Sequence, residues 1–405
     1  MNLGDRFGHL TYSTLVHPGD TWEDMRHSLE TYVPQVKARF SPDAPFGVSL
    51  RLSGASATRL AGDEAERARL KKFLADGDLY VYTVNAFPHG PFKGRRVMED
   101  VYKPDWTTEE RTAYTIDVAD ILADIAADGV EPTIQTVPLA FRPKVADEAY
   151  VDRFTRNVLR VCAHLVRLER RTGRRVKLAI EPEPFCYLET IAETVAYFTQ
   201  RLYSVAGASI LSELAGIPLS EAHGALRRHL GVVFDICHQA VEFDDIPASL
   251  ELLAEAGVPI FKLQEAAALW VPSVTDEVVA ELERFTDTIY LSQTSERRDG
   301  VVTRHLNLAD AIADWKRAPG GEREWRTHFH VPVFLDDLGP FRTTRFAIEQ
   351  ALAAHAALPQ STHLEIETYT WDVLPAHLKS GDVVDYVVRE LEFVRDTLLK
   401  AAPAS

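Results

Sequence analysis

The chain is poor in cysteine, with only Cys162, Cys186 and Cys237 among its 405 residues. Three widely spaced thiols in a chain of this length exclude a disulfide framework and indicate reduced cysteines. The sequence also lacks a run of about 18 apolar residues, a basic leader followed by an apolar stretch, and a lipidation motif. These absences predict a soluble cytoplasmic protein that does not insert into membranes.

Positive charge is also scarce, because 44 lysines and arginines stand against 60 aspartates and glutamates and leave a net charge of −16. Such a surface repels phosphate backbones and anionic membranes unless a local basic patch overrides it. We therefore expect no nucleic acid partner.

Eight strand-like segments alternate with helix-period segments along the chain. The strand-like segments are rich in β-branched and aromatic residues, and the later ones are nearly continuous apolar runs, as in buried parallel strands. This alternation predicts one α/β domain over residues 1–405, a closed (β/α)8 TIM barrel, with a doubly wound open sheet as the alternative. The predicted strands cover residues 9–14, 47–52, 79–85, 133–137, 176–181, 232–235, 260–264 and 363–367.

Two stretches are longer than a barrel unit requires. Residues 207–230 predict a small helical excursion before the sixth strand. The connection between the seventh and eighth strands is too long for one crossover, so residues 270–360 predict an insertion that covers the C-terminal face of the barrel. This insertion contains a predicted hairpin around Asp299 and Gly300 and a ninth strand-like segment at residues 325–334. That segment belongs either to the insertion or to the barrel as its true seventh strand.

Acidic side chains follow three of the predicted strands. Glu181 ends the fifth strand and Glu183 follows it, Asp235 ends the sixth, and Glu365 and Glu367 lie at the end of the eighth. The carboxyl ends of parallel strands meet on one face of a barrel, so these acids can converge. A buried acid is costly unless it is paired or bound to a metal. The pattern therefore indicates a metal or acid/base site, with a salt bridge at the barrel rim as the structural alternative.

Histidines stand at metal-ligand spacings in two places. Asp235 and His238 form D-x-x-H directly after a strand, and His328 and His330 form H-x-H, which places both rings on one side of a strand. A helix cap with a bonded histidine, and a solvated strand face, are the structural alternatives.

Other polar residues at the strand ends predict a ligand-binding surface. Arg51, Lys93 and Lys262 suit an anionic or polyhydroxy ligand. The residues expected to contact a substrate are His9, Arg51, Asn85, His89, Lys93, Glu183, His238, Lys262, Gln264 and His328.

The strand endings LAIEPEP, VVFDICHQAVEF and LEIETYTW resemble those of the xylose isomerase-like TIM barrels, the sugar-phosphate isomerase/epimerase superfamily. The resemblance implies a divalent metal held by Glu181, Asp235 and Glu367, with Glu181 and Glu367 as the catalytic acid/base pair. The seventh strand departs from that pattern, because Gln264 or Lys262 stands where a histidine ligand is expected. Either His330 from the extra strand completes the site, or the metal site is weakened or lost.

With His330 as fourth ligand, and His328 as the next candidate, the mixed oxygen and nitrogen set predicts Mn²⁺, Zn²⁺, Co²⁺ or Fe²⁺ rather than Mg²⁺ or Ca²⁺.

A narrower resemblance extends over nearly the whole chain. It is to the EboE-type metabolite traffic proteins of bacterial biosynthetic gene clusters, and it implies the handling of a small metabolite. The segments that carry it are NAFPHGPFKG, VYKPDW, EPEPFC, FDICHQAVEF, HFHVPVF and HLEIETYTWDVLP.

Three functions follow as hypotheses. The first is a metal-dependent isomerase or epimerase that acts on a sugar-like or cyclitol-like polyol. The second is a barrel that binds and passes on a metabolite without turnover, and the third is a metallo-hydrolase of the AP-endonuclease-like barrel type.

Overall fold

A computed structural model describes residues 1–93, 96–283, 290–372, 379 and 381–402. Eight of its strands run parallel in one sheet, in the spatial order first, last, seventh, sixth, fifth, fourth, third and second. They are β1 (His9–Tyr12), β2 (Phe46–Arg51), β3 (Leu79–Asn85), β4 (Thr133–Thr136), β5 (Lys177–Ile180), β6 (Leu230–Asp235), β7 (Ile260–Glu265) and β13 (His363–Ile366).

The sheet closes on itself between its first two strands. β1 pairs along its whole length with β13, and it meets β2 through one parallel bridge between Ser13 and Ser49. The predicted TIM barrel is therefore confirmed, and the doubly wound open sheet is excluded. Each predicted strand overlaps one of the eight barrel strands.

Helices surround the barrel because each presents an apolar side to it, as α5 does with Phe154, Val158 and Leu165. Asp147 caps the start of α5, and Gly173 ends it with a positive φ of 73°.

None of the described helices is both long and apolar enough to cross a membrane. The helices are α1 (Trp22–Phe40), α2 (Gly54–Gly62), α3 (Glu64–Asp76), α4 (Glu109–Ile125), α5 (Glu148–Thr172), α6 (Ile191–Tyr197), α7 (Val205–Ala215), α8 (Leu219–His229), α9 (Ile236–Val241), α10 (Ile246–Glu255), α11 (Asp276–Leu282), α12 (Leu308–Arg317), α13 (Arg345–Ala357) and α14 (Val383–Ala401).

A second, antiparallel sheet lies between β7 and β13 in the chain. Its strands, in chain order, are β8 (Ala267–Val271), β9 (Thr294–Arg298), β10 (Val301–His305), β11 (Glu324–Val331) and β12 (Arg342–Thr343). Their spatial order is β10-β9-β11-β8-β12. Only Ala266 separates β8 from β7, so the second sheet begins where the barrel strand ends.

The predicted hairpin is confirmed, because β9 pairs with β10 and the turn residues Asp299 and Gly300 both have positive φ. The ninth strand-like segment is β11 of the second sheet, so β7 is the seventh barrel strand, as predicted. The strands of this sheet cover residues 267–343, whereas α13 packs against α10 and α14 of the barrel layer. Residues 284–289 of the predicted insertion lie outside the described residues.

Candidate metal centre

Three carboxylates meet at the carboxyl ends of the barrel strands. Glu181 follows β5, Asp235 ends β6 and Glu367 follows β13, and one oxygen of each lies within 4.8 Å of the others. All three side chains are buried. Strands that run parallel bring acids from distant parts of the sequence to one point, as their positions predicted.

Gln264 on β7 joins the three carboxylates. Its Nε2 lies 2.6 Å from Oδ2 of Asp235, 2.9 Å from Oε2 of Glu367 and 3.0 Å from Oε1 of Glu181. An amide nitrogen has only two hydrogens to donate, so it cannot satisfy three acceptors fully. In the part of the chain that the structure describes, no hydrogen-bond donor reaches Oε1 of Gln264.

Burial controls the charge of this carboxylate group. It raises the pKa of Glu367 to about 8, and Glu365 and Asp235 contribute to the rise. Burial, followed by repulsion from Glu367 and Asp235, raises the pKa of Glu181 well above its usual value. Glu367 therefore keeps a proton near neutral pH, and a bound cation would favour full ionisation of the three carboxylates.

Two further amides fix the orientation of the outer carboxylates. Asn85 donates from Nδ2 to Oε1 of Glu367 at 2.7 Å, while its Oδ1 accepts from the Phe87 amide. Gln135 donates from Nε2 to Oε2 of Glu181 at 2.6 Å, while its Oε1 accepts from Nζ of Lys262. Each amide is held at both ends, so neither can turn its oxygen toward the carboxylate.

Two histidines beside the carboxylates have defined tautomers. Nδ1 of His238 donates to the Pro182 carbonyl at 2.9 Å, and Nδ1 of His330 donates to the Glu367 carbonyl at 2.7 Å. A carbonyl only accepts, so Nδ1 carries a proton in each ring and Nε2 is the nitrogen left to face the site. Asp235, His238 and His330 form a second group whose ligand atoms lie within 4.8 Å of one another.

His328 is oriented in the same way by Gln293. Nδ1 of His328 donates to Oε1 of Gln293 at 2.9 Å, and the amide is fixed because its Nε2 donates to the Pro184 carbonyl and to Glu183. The Nε2 atoms of His328 and His330 lie 3.2 Å apart. Burial lowers the pKa of His330 to about 4 and that of His328 well below its usual value, so both rings are neutral.

These residues fit a divalent cation. Glu181, Asp235 and Glu367 supply carboxylate oxygens, and rotation of the Gln264 amide would bring its unpartnered Oε1 to the same place. His330 is grouped with Asp235 and His238 rather than with Glu181 and Glu367. The four predicted ligands therefore do not form one group. Glu181, Asp235 and Glu367 form the first group, and His330 joins Asp235 and His238 in the second.

Cys237 also lies beside two of these histidines, with its sulfur within 4.8 Å of ligand atoms of His328 and His330. Burial raises the pKa of its thiol well above the usual value, and the residue packs with the apolar Val241 and Ala268. A neutral thiol among apolar neighbours is a poor metal ligand.

A cavity with about 520 Å³ of empty space, including its open mouth, lies above the carboxylates. Its acidic and histidine lining residues are Glu181, Glu183, Glu367, His238 and His328, and its amide lining residues are Asn85, Gln135 and Gln293. No lysine or arginine lines it among the described residues. The aromatic and aliphatic lining residues are Leu15, Phe87, Pro88, Phe92, Val97, Met98, Val101, Tyr102, Tyr290, Leu291 and Tyr369.

The structure places some predicted contact residues at this cavity and others elsewhere. Asn85, Glu183, His238 and His328 line it. Gln264 lies beneath it, bonded to the carboxylates.

The predicted basic contacts do not line the cavity because internal partners hold them. Arg51 binds the Gly19 carbonyl and Asp20, and Lys262 is buried inside the barrel. Nζ of Lys93 donates to the Tyr369 carbonyl at 2.7 Å, outside the cavity lining.

Two predicted histidine contacts also lie elsewhere. His89 packs edge-on against Tyr114, with ring centroids 4.9 Å apart. His9 begins β1 and contacts the Tyr80 hydroxyl at 2.8 Å, at the end of the barrel opposite the carboxylates.

Sequence reasoning missed Gln293 and the aromatic wall. Tyr102 donates to Glu183 at 2.7 Å and contacts Gln293 at 3.0 Å. Tyr102 stands in VYKPDW, one of the segments that carry the narrower resemblance, and that segment could have marked it as a site residue. Gln293 precedes the hairpin of the second sheet, and no local pattern marks it as a site residue.

The barrel is similar to solved structures, whereas no family model and no curated protein matches the sequence. A xylose isomerase-like TIM barrel protein from Mycobacterium smegmatis, in complex with magnesium, is 12% identical with a TM-score of 0.50, and the match covers 97% of this chain and 100% of that one. This chain therefore has the xylose isomerase-like TIM barrel fold.

Two other solved structures are similar over most of both chains. The IOLI protein with a bound zinc atom is 12% identical with a TM-score of 0.48, and the match covers 98% of this chain and 100% of that chain. A D-tagatose 3-epimerase-like protein is 12% identical with a TM-score of 0.48, and the match covers 97% and 98%.

Proposed function

We propose that this protein is a metal-dependent isomerase or epimerase of a small sugar-like or cyclitol-like metabolite. One observation carries the proposal: Glu181 and Glu367 both reach the cavity, share the Gln264 amide and are each oriented by a second amide. Two carboxyl groups held at one cavity can accept a proton from one position and return it at another.

In this proposal Glu181 and Glu367 move a carbon-bound proton of the substrate. A divalent cation, when bound by Glu181, Asp235, Glu367 and Gln264, would polarise adjacent substrate oxygens and acidify the carbon between them. Glu181 and Glu367 exchange that proton from the two sides of the carbon.

The chemistry of the cavity wall supports a polyol or cyclitol as the ligand. Hydroxyl groups would face Glu183, His238 and Gln293, while the apolar C–H face of a ring would pack on Phe92 and Tyr290. We infer that such a metabolite belongs to a biosynthetic or traffic pathway of the EboE type in the cytoplasm. The magnesium of the M. smegmatis neighbour supports a hard cation at the carboxylates.

The test is solvent-deuterium exchange with a panel of ketoses, inosose-type cyclitols and their phosphate esters. The metal-loaded protein should incorporate deuterium into a bound panel member, and Glu181→Gln and Glu367→Gln should each lower the rate at least about 100-fold. Glu390→Gln is the matched control, because Glu390 is equally buried, has a pKa of about 8 and lies outside the cavity lining. Full exchange in both site variants would overturn the proposal.

The carrier hypothesis predicts a different result. A barrel that binds and passes on a metabolite would show saturable binding of a panel member without any exchange. The unsatisfied Gln264 oxygen and the fixed carboxylates favour chemistry over binding alone.

A metallo-hydrolase is the second candidate, and the histidine group beside the carboxylates favours it. Two cations at neighbouring donor sets can activate water and stabilise a leaving group. Hydrolysis of bis(p-nitrophenyl) phosphate, absent with Glu181→Gln, would support this candidate. The net charge of −16 argues against DNA as its substrate.

A further inference from the structure

One carboxylate oxygen at the cavity wall has no hydrogen-bond partner. It belongs to Glu183, which lines the cavity and whose side chain is almost wholly buried. Its Oε1 accepts from the Tyr102 hydroxyl at 2.7 Å and from Nε2 of Gln293 at 3.1 Å, whereas within the described ranges of the chain no donor reaches its Oε2. A buried oxygen without a donor is costly, so a donor from the ligand would stabilise it.

The two donors to Glu183 are themselves held in place. Oε1 of Gln293 accepts from Nδ1 of His328 at 2.9 Å, so the amide presents its nitrogen to Glu183. The Tyr102 ring stacks on Phe141, with centroids 5.4 Å apart and planes 8° apart. The Glu183 carboxylate is therefore fixed through one oxygen, and the other oxygen is left for the ligand.

The charge of the site distinguishes between a hydroxyl and an ammonium group as that donor. Glu181, Asp235 and Glu367, when ionised around a divalent cation, leave one net negative charge, and the Glu183 carboxylate adds a second. Among the lining residues that the structure describes there is no lysine or arginine. The electrostatic potential of the cavity therefore favours a cationic ligand and disfavours a phosphate ester or a carboxylate.

A group of aromatic rings on the same wall also suits a cation. Phe92, Tyr290 and Tyr369 all line the cavity and pack on one another, with ring centroids 4.9 to 5.4 Å apart. The faces of such rings carry negative potential, so they attract an ammonium group and also pack on the C–H face of a sugar or cyclitol ring.

We propose that the ligand of this cavity is an amine-bearing polyol, an amino sugar or an aminocyclitol, whose ammonium group donates to Oε2 of Glu183. The inference rests on the proposed function, because it names the substrate class of the same cavity. The amine takes the place of one hydroxyl at Glu183, and the other hydroxyls remain for the cation and for His238. Glu183 is then a specificity-determining residue and takes no part in the proton transfer.

The experiment compares matched ligands of the full, metal-loaded protein by titration calorimetry. The probes are glucosamine and scyllo-inosamine, their hydroxyl parents glucose and scyllo-inositol, and two further derivatives, N-acetylglucosamine and glucose 6-phosphate. Each free amine should bind at least about tenfold more tightly than its parent, because a charge-assisted hydrogen bond replaces a neutral one. N-Acetylglucosamine, whose nitrogen is uncharged, should lose this advantage, and glucose 6-phosphate should bind more weakly than glucose.

Variants of Glu183 test the assigned contact. Glu183→Gln removes the negative charge and should abolish the preference for the amine, whereas Glu183→Asp keeps the charge and should retain part of the preference. Glu390→Gln is the matched control, because Glu390 is an equally buried acid outside the cavity lining. Thermal unfolding shows which variants fold, and the comparison of glucosamine with N-acetylglucosamine tests the charge in the wild type alone.

The inference is wrong if the free amines bind the wild type no more tightly than their parents, or if folded Glu183→Gln keeps the preference. Deuterium exchange into an uncharged polyol without any preference for amines would remove this inference and leave the proposed function. A preference for amines without deuterium exchange would leave the amine contact standing and remove the isomerase proposal instead.

Discussion

Lys262 and Glu365 form an ion pair in the interior of the barrel, with Nζ 2.9 Å from Oε1 and neither side chain exposed. The sequence predicted Lys262 as a substrate contact, because it stands near the end of the seventh predicted strand. The structure shows that it instead holds Gln135, which in turn orients Glu181. Lys262 is thus a positioning residue beneath the site.

Removing the charge of Lys262 should destabilise the fold. Lys262→Met leaves Glu365 buried without its partner, which costs about 3–5 kcal/mol of the free energy of unfolding. Denaturant unfolding of the metal-free protein measures this cost. Lys177→Met, which breaks a partly exposed pair with Glu131, should cost less than about 1 kcal/mol. Equal losses in the two variants would contradict the assignment, and Lys262→Met combined with Glu365→Leu should recover most of the stability.

Gln264 should set the metal preference of the carboxylate site. Gln264→His replaces an amide oxygen with an imidazole nitrogen, so the affinity for Zn²⁺ should rise about tenfold or more relative to Mn²⁺. Competition between the two metals for the carboxylate site reports the change. Gln264→Asn keeps the amide and should retain the preference for manganese, even if its shorter side chain lowers the affinity. An unchanged ratio in Gln264→His would show that this side chain does not reach the metal.

Glu390 should make stability depend on pH. It accepts bonds from Thr368 and the Val333 amide, and burial raises its pKa to about 8 from an ordinary value of 4.5. Between these values the folded state keeps a proton that the unfolded chain releases, so the free energy of unfolding falls as pH rises. The stabilisation is complete below pH 4.5 and is lost as pH rises through about 8.

Glu390→Gln should therefore flatten the decline in stability between about pH 5 and pH 8, which is measured as Tm against pH. The pH slope of the free energy of unfolding should change by the equivalent of nearly one bound proton. Glu392→Gln, at an exposed position of the same helix, should leave the slope unchanged. Parallel slopes for wild type and Glu390→Gln would contradict the raised pKa.

The barrel was predictable because strand-like and helix-period segments alternate along the sequence in the order that a (β/α)8 barrel requires. Buried parallel strands leave apolar runs, and the acids at their ends lie on one face, so the pattern predicted that acids of the fifth, sixth and eighth strands can meet. The resemblance to the xylose isomerase-like barrels then implied Glu181, Asp235 and Glu367 among them. His328 and His330 share a side of their strand, as the H-x-H spacing predicted, and both are buried near the carboxylates.

The partners of the basic residues were not predictable from sequence. Arg51, Lys93 and Lys262 were expected at the ligand because a strand end is where ligands bind, but each is held by an internal acceptor. Which acceptor reaches a long cationic side chain depends on tertiary packing, which leaves no periodic signal. The aromatic cavity wall was missed for the same reason, because Phe92 and Tyr290 are about 200 positions apart in the chain and meet only in the folded protein.

The pairing of β1 has a consequence for how the protein reaches its fold. Its full-length partner is β13, about 350 positions later, whereas its neighbour in sequence, β2, contributes one bridge. Synthesis at about 5–20 residues per second leaves β1 without that partner for tens of seconds. Contacts of such long range also slow folding after release, because a large loop must close first. Closure of the barrel should therefore be a late, post-translational step, with the carboxylate of Glu367 among the last groups to arrive.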